Sequence, residues 1–242
     1  MTDFSRFALP TGQSMAYRFL PGDLPAVVFL PGYMSDMSGS KAQAVWAWAQ
    51  DSGRACLLLD YTGCGQSDGE FRDGSLSKWR DEVVALVDHL GLESVQIIGS
   101  SMGGWLMLLV AEILDERATA LVGIAPAPDF TEWGLSQSQR IELAGGRTIF
   151  EDNPYGSDPT PTHALFWSDG ERNKRLKSGV AFDGPVRLLH GQDDRDVPWE
   201  ISLRLAAALR SADVQVHLIK DGDHRLSRES DIALLLRELD HL

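Results

Sequence analysis

The stretch Val95-Gln96-Ile97-Ile98-Gly99-Ser100-Ser101-Met102-Gly103-Gly104-Trp105-Leu106 decides how the chain reads. Val95, Ile97 and Ile98 are β-prone. Trp105 opens a run through Leu106, Met107, Leu108, Leu109, Val110, Ile113 and Leu114 that is apolar on nearly every side, as a helix buried against a sheet must be. Between them, Gly99-Ser100-Ser101-Met102-Gly103 has the G-x-S-x-G form of a strand-to-helix elbow. A strand that turns straight into a helix strains its central residue, and glycines two positions to either side let that residue's Cβ and hydroxyl clear the backbone. The spacing presents Ser101, and not Ser100, as a candidate nucleophile.

Outward from the elbow, β-prone apolar runs recur at Ala26 to Leu30, Ala55 to Leu59, Leu121 to Ile124, Val186 to Leu189 and Val214 to Ile219. Helical patterns alternate with them at Lys41 to Gln50, Leu76 to Leu90 (ending at Gly91), Trp199 to Leu209 and Glu229 to Leu239. Such alternation predicts an α/β fold with a mostly parallel central sheet flanked by helices, its chemistry at the carboxyl ends of the strands. Phe4 to Leu20 reads as an antiparallel hairpin at one edge. The alternation breaks once, from Ala125 to Gly184. That stretch, rich in Pro, Trp, Gly and charge, reads as a helical lid insertion over the nucleophile, with helices near Leu135 to Ala144 and His163 to Leu176 and a loop at Asn153-Pro154-Tyr155-Gly156. Phe130, Trp133, Phe150, Phe166 and Trp167 are its candidates for lining an acyl pocket.

The chain has 242 residues, 43% of them hydrophobic, enough for one sizeable core, so residues 1–242 are expected to be a single domain. The formal charge of -13 repels phosphate backbones and anionic headgroups, which argues against a nucleic-acid partner. No run reaches the roughly 20 apolar residues of a membrane span. The start, Met1-Thr2-Asp3-Phe4-Ser5-Arg6, has neither a signal-peptide nor a presequence pattern, so a cytoplasmic location is expected. Cys56 reads as a small buried thiol and Cys64 as a loop residue; neither belongs to a metal-ligand pattern or a catalytic pair. Gly63 and Gly65 suit a tight loop, because no G-x-G-x-x-G opens a helix there. No metal or organic cofactor is expected, and oligomeric state is not legible.

A serine hydroxyl needs a base, and in this architecture the acid and then the histidine follow the serine along the chain. His89 precedes Ser101, His163 falls in the insertion, His190 ends a strand and reads as structural, His217 lies within a strand, and His241 adjoins the terminus. His224 remains, in the polar turn Lys220-Asp221-Gly222-Asp223-His224-Arg225 after the last strand. For the acid, Asp193, Asp194 and Asp196 compete within His190-Gly191-Gln192-Asp193-Asp194-Arg195-Asp196-Val197-Pro198; Asp196 suits the N-cap of a helix beginning near Pro198. An oxyanion hole requires one N–H from the residue after the serine and one from the loop after an earlier strand, which selects Met102 and Tyr33, the latter in Leu30-Pro31-Gly32-Tyr33-Met34.

These residues resemble the α/β hydrolase superfamily, and within it the subfamily of palmitoyl-protein thioesterases and acyl-glucuronide esterases found in mitochondria, with bacterial relatives. The resemblance rests on Leu30 to Ala42, Asp60 to Gly69, Lys78-Trp79-Arg80, Gly99 to Leu106, Arg187 to Gly191 and Asp223-His224-Arg225, which span most of the chain outside the insertion. Hydrolases of this fold carry an H-G-x-x-D-x-x-V-P run whose aspartate falls four residues after the histidine; this selects Asp194, with Asp193 second. The resemblance implies Ser101 as nucleophile, Asp194 as acid and His224 as base, acting on acyl esters or thioesters through an acyl-enzyme. A general carboxylesterase or lipase is the nearest alternative. A silent binding module for a hydrophobic ligand is the alternative of another class, and it predicts a missing nucleophile, acid or base.

Overall fold

Strands that are apolar along their whole length need cover on both faces, and the inner strands of this chain have it. In a computed structural model, which describes residues 4–153 and 156–242, β1 (Ser5–Ala8), β2 (Ser14–Leu20), β3 (Asp23–Leu30), β4 (Arg54–Leu59), β5 (Val95–Ser100), β6 (Ala118–Ile124), β9 (Val186–Gly191) and β10 (Val214–Ile219) form one sheet in the order β1-β2-β4-β3-β5-β6-β9-β10. β1 pairs antiparallel with β2 and β2 antiparallel with β4; β4, β3, β5, β6, β9 and β10 run parallel. The expected edge hairpin is β1-β2.

Side chains alternate between two cores. Val27 and Phe29 of β3 join Ala42, Val45 and Ala49 of α1 (Ser40–Ser52) and Leu235 and Leu239 of α8 (Glu229–Asp240) on one face. Val28 and Leu30 join Trp79, Val83 and Leu86 of α2 (Leu76–His89), Trp105 to Ala111 of α3 (Met102–Leu114) and Leu205 of α7 (Glu200–Ala208) on the other. Because β3 is followed by β4 on one side and by β5 on the other, the chain reverses its winding at the carboxyl ends of β3 and β5. A crevice opens at such a switch point, and the Tyr33 loop and the Ser101 elbow both lie there.

Between β6 and β9 lie α4 (Phe130–Trp133), α5 (Gln137–Ala144), a two-stranded antiparallel sheet of β7 (Ile149–Glu151) and β8 (Thr160–Thr162), and α6 (Ala164–Arg172). Sequence periodicity missed α4 and the β7-β8 pair, each too short to repeat a period, began α5 too early while ending it correctly at Ala144, and placed both ends of α6 too wide. Half of the loop expected at 153–156 lies outside the described residues. A buried polar seam bolts α6 to the core: the Asp169 carboxylate accepts from the Ser77 N–H (2.7 Å) and hydroxyl (2.9 Å) at the start of α2, and the Trp105 indole donates to the Asn173 carbonyl (3.0 Å). Cys56 and Cys64 are both buried and free, Cys64 less exposed than a loop position suggested. Among the described residues no helix is long and apolar enough to cross a membrane.

Candidate active site

Ser101 stands between β5 and α3 with φ 54° and ψ −120°, a conformation that L-residues hold only when the surroundings impose it. Here β6 and the chain after it do so: Ser101 N–H donates to the Ile124 carbonyl (2.9 Å), and the Ser101 carbonyl accepts from Gly104 (2.8 Å) and Ala127 (3.0 Å). The flanking glycines are required by contact. A Cβ on Gly103 would lie 2.2 Å from the Leu30 carbonyl oxygen, and one on Gly99 would lie 2.3 Å from that of Gly103. The Ser101 side chain makes no capping bond to α3, which leaves its hydroxyl to face outward.

His224 follows β10, and Asp194 follows β9. Their two loops are laced together by Gln192 N–H to Ile219 O (2.8 Å) and Asp193 N–H to Gly222 O (2.9 Å), with Gly191 against Gly222 so closely that a Cβ would sit 2.1 Å from the Gly222 oxygen. The result is a hydrogen-bonded line: His224 Nε2 is 3.0 Å from Ser101 Oγ, and His224 Nδ1 is 2.8 Å from Asp194 Oδ2. A carboxylate oxygen only accepts, so Nδ1 carries a proton and, in the neutral ring, Nε2 is the acceptor for the Ser101 hydroxyl. Asp194 Oδ1 accepts from the Asp196 and Val197 amides, each at 2.9 Å. Burial pushes the Asp194 carboxyl up, but the bonds from His190 and His224, the His224 charge and the Val197 amide outweigh it and hold the group well below the usual carboxylate range. It is ionised wherever His224 could act as a base.

The other two candidate aspartates lie outside this hydrogen-bonded line. Asp193 is exposed, 3.9 Å from Arg195. Asp196 does not cap the following helix, which starts at Glu200 with Trp199 at its N-cap and no side-chain bond; its own amide is committed to Asp194, and the helix begins later than expected. Asp194, Asp196 and His224 do bring one ligating atom each within 4.8 Å of one another, but both Asp194 oxygens already receive N–H donors. Of the other histidines, His89 stacks on Phe7, His163 bonds Thr148, His217 lies near Glu238 and His241 ends α8.

Tyr33 and Met102 line the same cavity as Ser101, and a Cβ on Gly32 would sit 3.4 Å from Ser101 Cβ, so the loop after β3 lies against the elbow. Among the described residues no backbone carbonyl accepts from either the Tyr33 or the Met102 amide. The Tyr33 side chain points into the insertion: its phenol donates to the Pro161 carbonyl (2.9 Å) and its ring meets Phe71, Phe130 and Phe166 edge-on. The cavity, about 680 Å³, is bounded on the insertion side by apolar Phe130, Trp133 and Leu135 and by polar Glu151, Asp152, Thr160 and Thr162. Three of the five expected aromatics do not line it. Phe166 is buried under Tyr33 and Phe130, Trp167 packs on Leu143 and Ile149, and Phe150 is exposed.

Lys41 is a cavity residue that the sequence reading missed. It lies in the first turn of α1, where the helix dipole disfavours a cation, and that was the available signal. Its ammonium donates to the Arg225 carbonyl, next to His224. Burial and the neighbouring Arg225 charge pull its pKa down to about 8.

A doubly covered parallel sheet with a strained serine at the switch point and an imidazole–carboxylate pair behind it defines a class, the α/β hydrolases. A family model described as alpha/beta hydrolase fold matches residues 25–157, and the chain belongs to that family. The human palmitoyl-protein thioesterase ABHD10, mitochondrial, is 35% identical over 250 residues, covering 100% of this chain and 80% of the relative. The solved structure of alpha/beta hydrolase domain-containing protein 10 from mouse superposes with a TM-score of 0.91 at 35% identity, covering 99% of this chain and 98% of that one. A crystal structure from Agrobacterium vitis S4 does so with a TM-score of 0.92 at 34% identity, covering 99% and 98%. The chain is a hydrolase of ester or thioester bonds.

Proposed function

We propose that this chain hydrolyses acyl thioesters and esters by two-step acyl transfer, with Ser101 as nucleophile, His224 as general base and Asp194 as the acid that orients it. The observation that carries the reading is the position of the His224 ring, bonded through one nitrogen to Ser101 Oγ at 3.0 Å and through the other to Asp194 at 2.8 Å. His224 Nε2 takes the hydroxyl proton as Ser101 Oγ attacks the carbonyl carbon. The Met102 and Tyr33 amides stabilise the oxyanion, and the leaving group departs with the proton from His224. Water, deprotonated by the same nitrogen, then attacks the acyl-enzyme and releases the acid and Ser101.

The long-chain acyl substrate of the human relative's name suits a cavity of about 680 Å³ with Phe130, Trp133 and Leu135 on one side. Residues 1–242 are taken as one domain, with 125–184 as a lid over Ser101. We infer a cytoplasmic location; the relatives' printed names say mitochondrial of them, and fractionation of cells expressing the full chain decides between the two.

Labelling by a fluorophosphonate probe tests the nucleophile: the wild-type chain is expected to label at Ser101, and Ser101→Ala not at all. Turnover of matched acyl-thioester and oxygen-ester series of rising chain length tests the substrate. A preference for short oxygen esters would overturn the thioesterase reading in favour of a general carboxylesterase.

A further inference from the structure

Asp194 Oδ2 faces two imidazoles. Besides His224 Nδ1 at 2.8 Å, His190 Nε2 lies 3.2 Å away, from a ring that is fully buried at the end of β9. The same His190 Nε2 is 3.0 Å from the Val197 carbonyl, and its Nδ1 is 2.7 Å from the Ser202 hydroxyl in α7.

The protonation of His190 follows from its neighbours. A carbonyl oxygen and a carboxylate oxygen both only accept, so a lone pair on Nε2 of this fully buried ring would face two acceptors at close range. Nε2 therefore carries a proton, directed at Val197 O and close beside Asp194 Oδ2. Among the described residues, the Ser202 hydroxyl, which can turn, is the group placed to donate to Nδ1. The turn from Asp194 to Val197 is thus held at both ends, by its amides on Asp194 Oδ1 and by His190 on the Val197 carbonyl.

We propose that His190, set by Ser202, is a positioning residue of the active site, which holds the Asp194 carboxylate in place and tempers its charge toward His224. The proposal rests on the triad reading above. It makes the site a line of five residues, Ser202, His190, Asp194, His224 and Ser101, reaching from α7 to the cavity.

The consequence is a pH effect with a definite sign. With His190 replaced by Phe, the two amides still bond Asp194 Oδ1, but the Val197 end of the turn and Oδ2 both lose the His190 N–H beside them, so the carboxylate is held less tightly and presents more uncompensated charge to His224. The His224 imidazolium is then favoured and the acid limb of kcat/KM moves to higher pH. Among the described residues, the other charged groups around His224 are Asp196 within 4.8 Å, Asp223 and Arg225 on either side in the chain, Lys41 of α1 on the Arg225 carbonyl, and Arg195 at the cavity wall. They are the same in wild type and variant and cancel in the comparison.

The test is the pH profile of p-nitrophenyl ester hydrolysis by the full chain and by His190→Phe, His190→Gln, Ser202→Ala and Ser101→Ala. His190→Phe is expected to lower plateau kcat about tenfold with KM unchanged and to move the acid limb upward. His190→Gln, whose amide restores an N–H donor, is expected to recover most of both, and Ser202→Ala to show a smaller change in the same direction. If His190→Phe fails to fold, Ser202→Ala decides the matter: an upward-shifted acid limb supports the inference and a wild-type profile overturns it. A wild-type profile for every folded variant at positions 190 and 202, accompanied only by a lower melting temperature, overturns the inference. Ser101→Ala separates that outcome from failure of the triad reading: if it keeps full activity, the triad reading has failed, and if it is inactive while the position-190 variants are normal, only this inference has.

Discussion

The Tyr33 phenol donates to the Pro161 carbonyl at 2.9 Å, so the residue proposed to offer its amide to the oxyanion is tied by its side chain to β8. The backbone around it has little freedom, since Met34 next in the chain is held at φ 55° and the Tyr33 ring is wedged among Phe71, Phe130 and Phe166. Burial pushes the phenol pKa up, which keeps it a donor throughout the working range. Tyr33→Phe is expected to cost about 1 kcal/mol in denaturant unfolding and to lower kcat more than it raises KM, because a loosened loop aims its amide less well.

The line from Ser101 to Asp194 makes a graded prediction. Ser101→Ala and His224→Ala should each lower kcat by a factor on the order of 10⁴ or more, and combining them should add little, because the two groups act as a unit. Asp194→Asn places an amide where Nδ1–H now donates and invites the wrong imidazole tautomer. Its kcat should fall by a factor on the order of 10⁴ with KM nearly unchanged. Initial rates on a p-nitrophenyl ester read all three; an Asp194→Asn enzyme within a few-fold of wild type would remove Asp194 from the mechanism.

Gly103 is the contact point between the elbow and the end of β3. A Cβ there would be 2.2 Å from the Leu30 carbonyl oxygen and 2.6 Å from that of Pro31, both backbone atoms that cannot swing aside. Gly103→Ala is expected to destabilise the fold by about 1–3 kcal/mol and to reduce the rate of fluorophosphonate labelling in the folded fraction, since the loop carrying Tyr33 must shift away from Ser101.

Lys41 gives a stability signature above neutral pH. Its pKa is about 8 in the folded chain against 10.5 for the free side chain, so between these values the unfolded chain binds the extra proton and folding gains as pH rises. Burying the charged ammonium is a penalty present below pH 8 and relieved above it. Relative to Lys41→Met, the wild-type chain should therefore gain stability from pH 7 to pH 9.5 in urea melts. A constant difference across that range would mean that Lys41 is not desolvated.

The buried seam under α6 predicts that this helix is a fixed part of the molecule. Asp169→Ala leaves the Ser77 N–H and hydroxyl without their acceptor and should cost about 1–3 kcal/mol. Hydrogen exchange in the wild-type chain should show α6 protected to the level of α3, with faster exchange in α5.

The elbow was legible in the sequence because its causes are local. Glycines at 99 and 103, β-prone residues before them and a fully apolar helix after them act within a dozen positions, and those contacts also appear in three dimensions. The alternation of strands and helices was legible for a related reason: a sheet covered on both faces demands unbroken apolar runs, such as Val95 to Ile98, and these stand out in any reading. The short elements of the insertion were not, because α4 with four residues, and β7 and β8 with three each, end before the helical or strand period can repeat twice. Nor was the fate of Phe166 against that of Phe130, since each is an aromatic in a polar stretch and only packing assigns one to the core and the other to the cavity wall.

The sequence by itself pointed to the class of chemistry, through the G-x-S-x-G turn at Ser101, proposed as nucleophile, and His224, proposed as base, in the loop after the last strand. Among three aspartates in four positions, spacing could only rank; the tertiary structure seats Asp194 under two amides and two imidazoles and leaves Asp193 in solvent. It also decided that Lys41 reaches the Arg225 carbonyl 184 positions away and that the Tyr33 phenol reaches β8. The physical reason is the same in each case. Turn geometry and burial periodicity are short-range properties written into neighbouring residues, whereas the partner of a buried polar group is chosen by which distant segments the sheet order brings side by side.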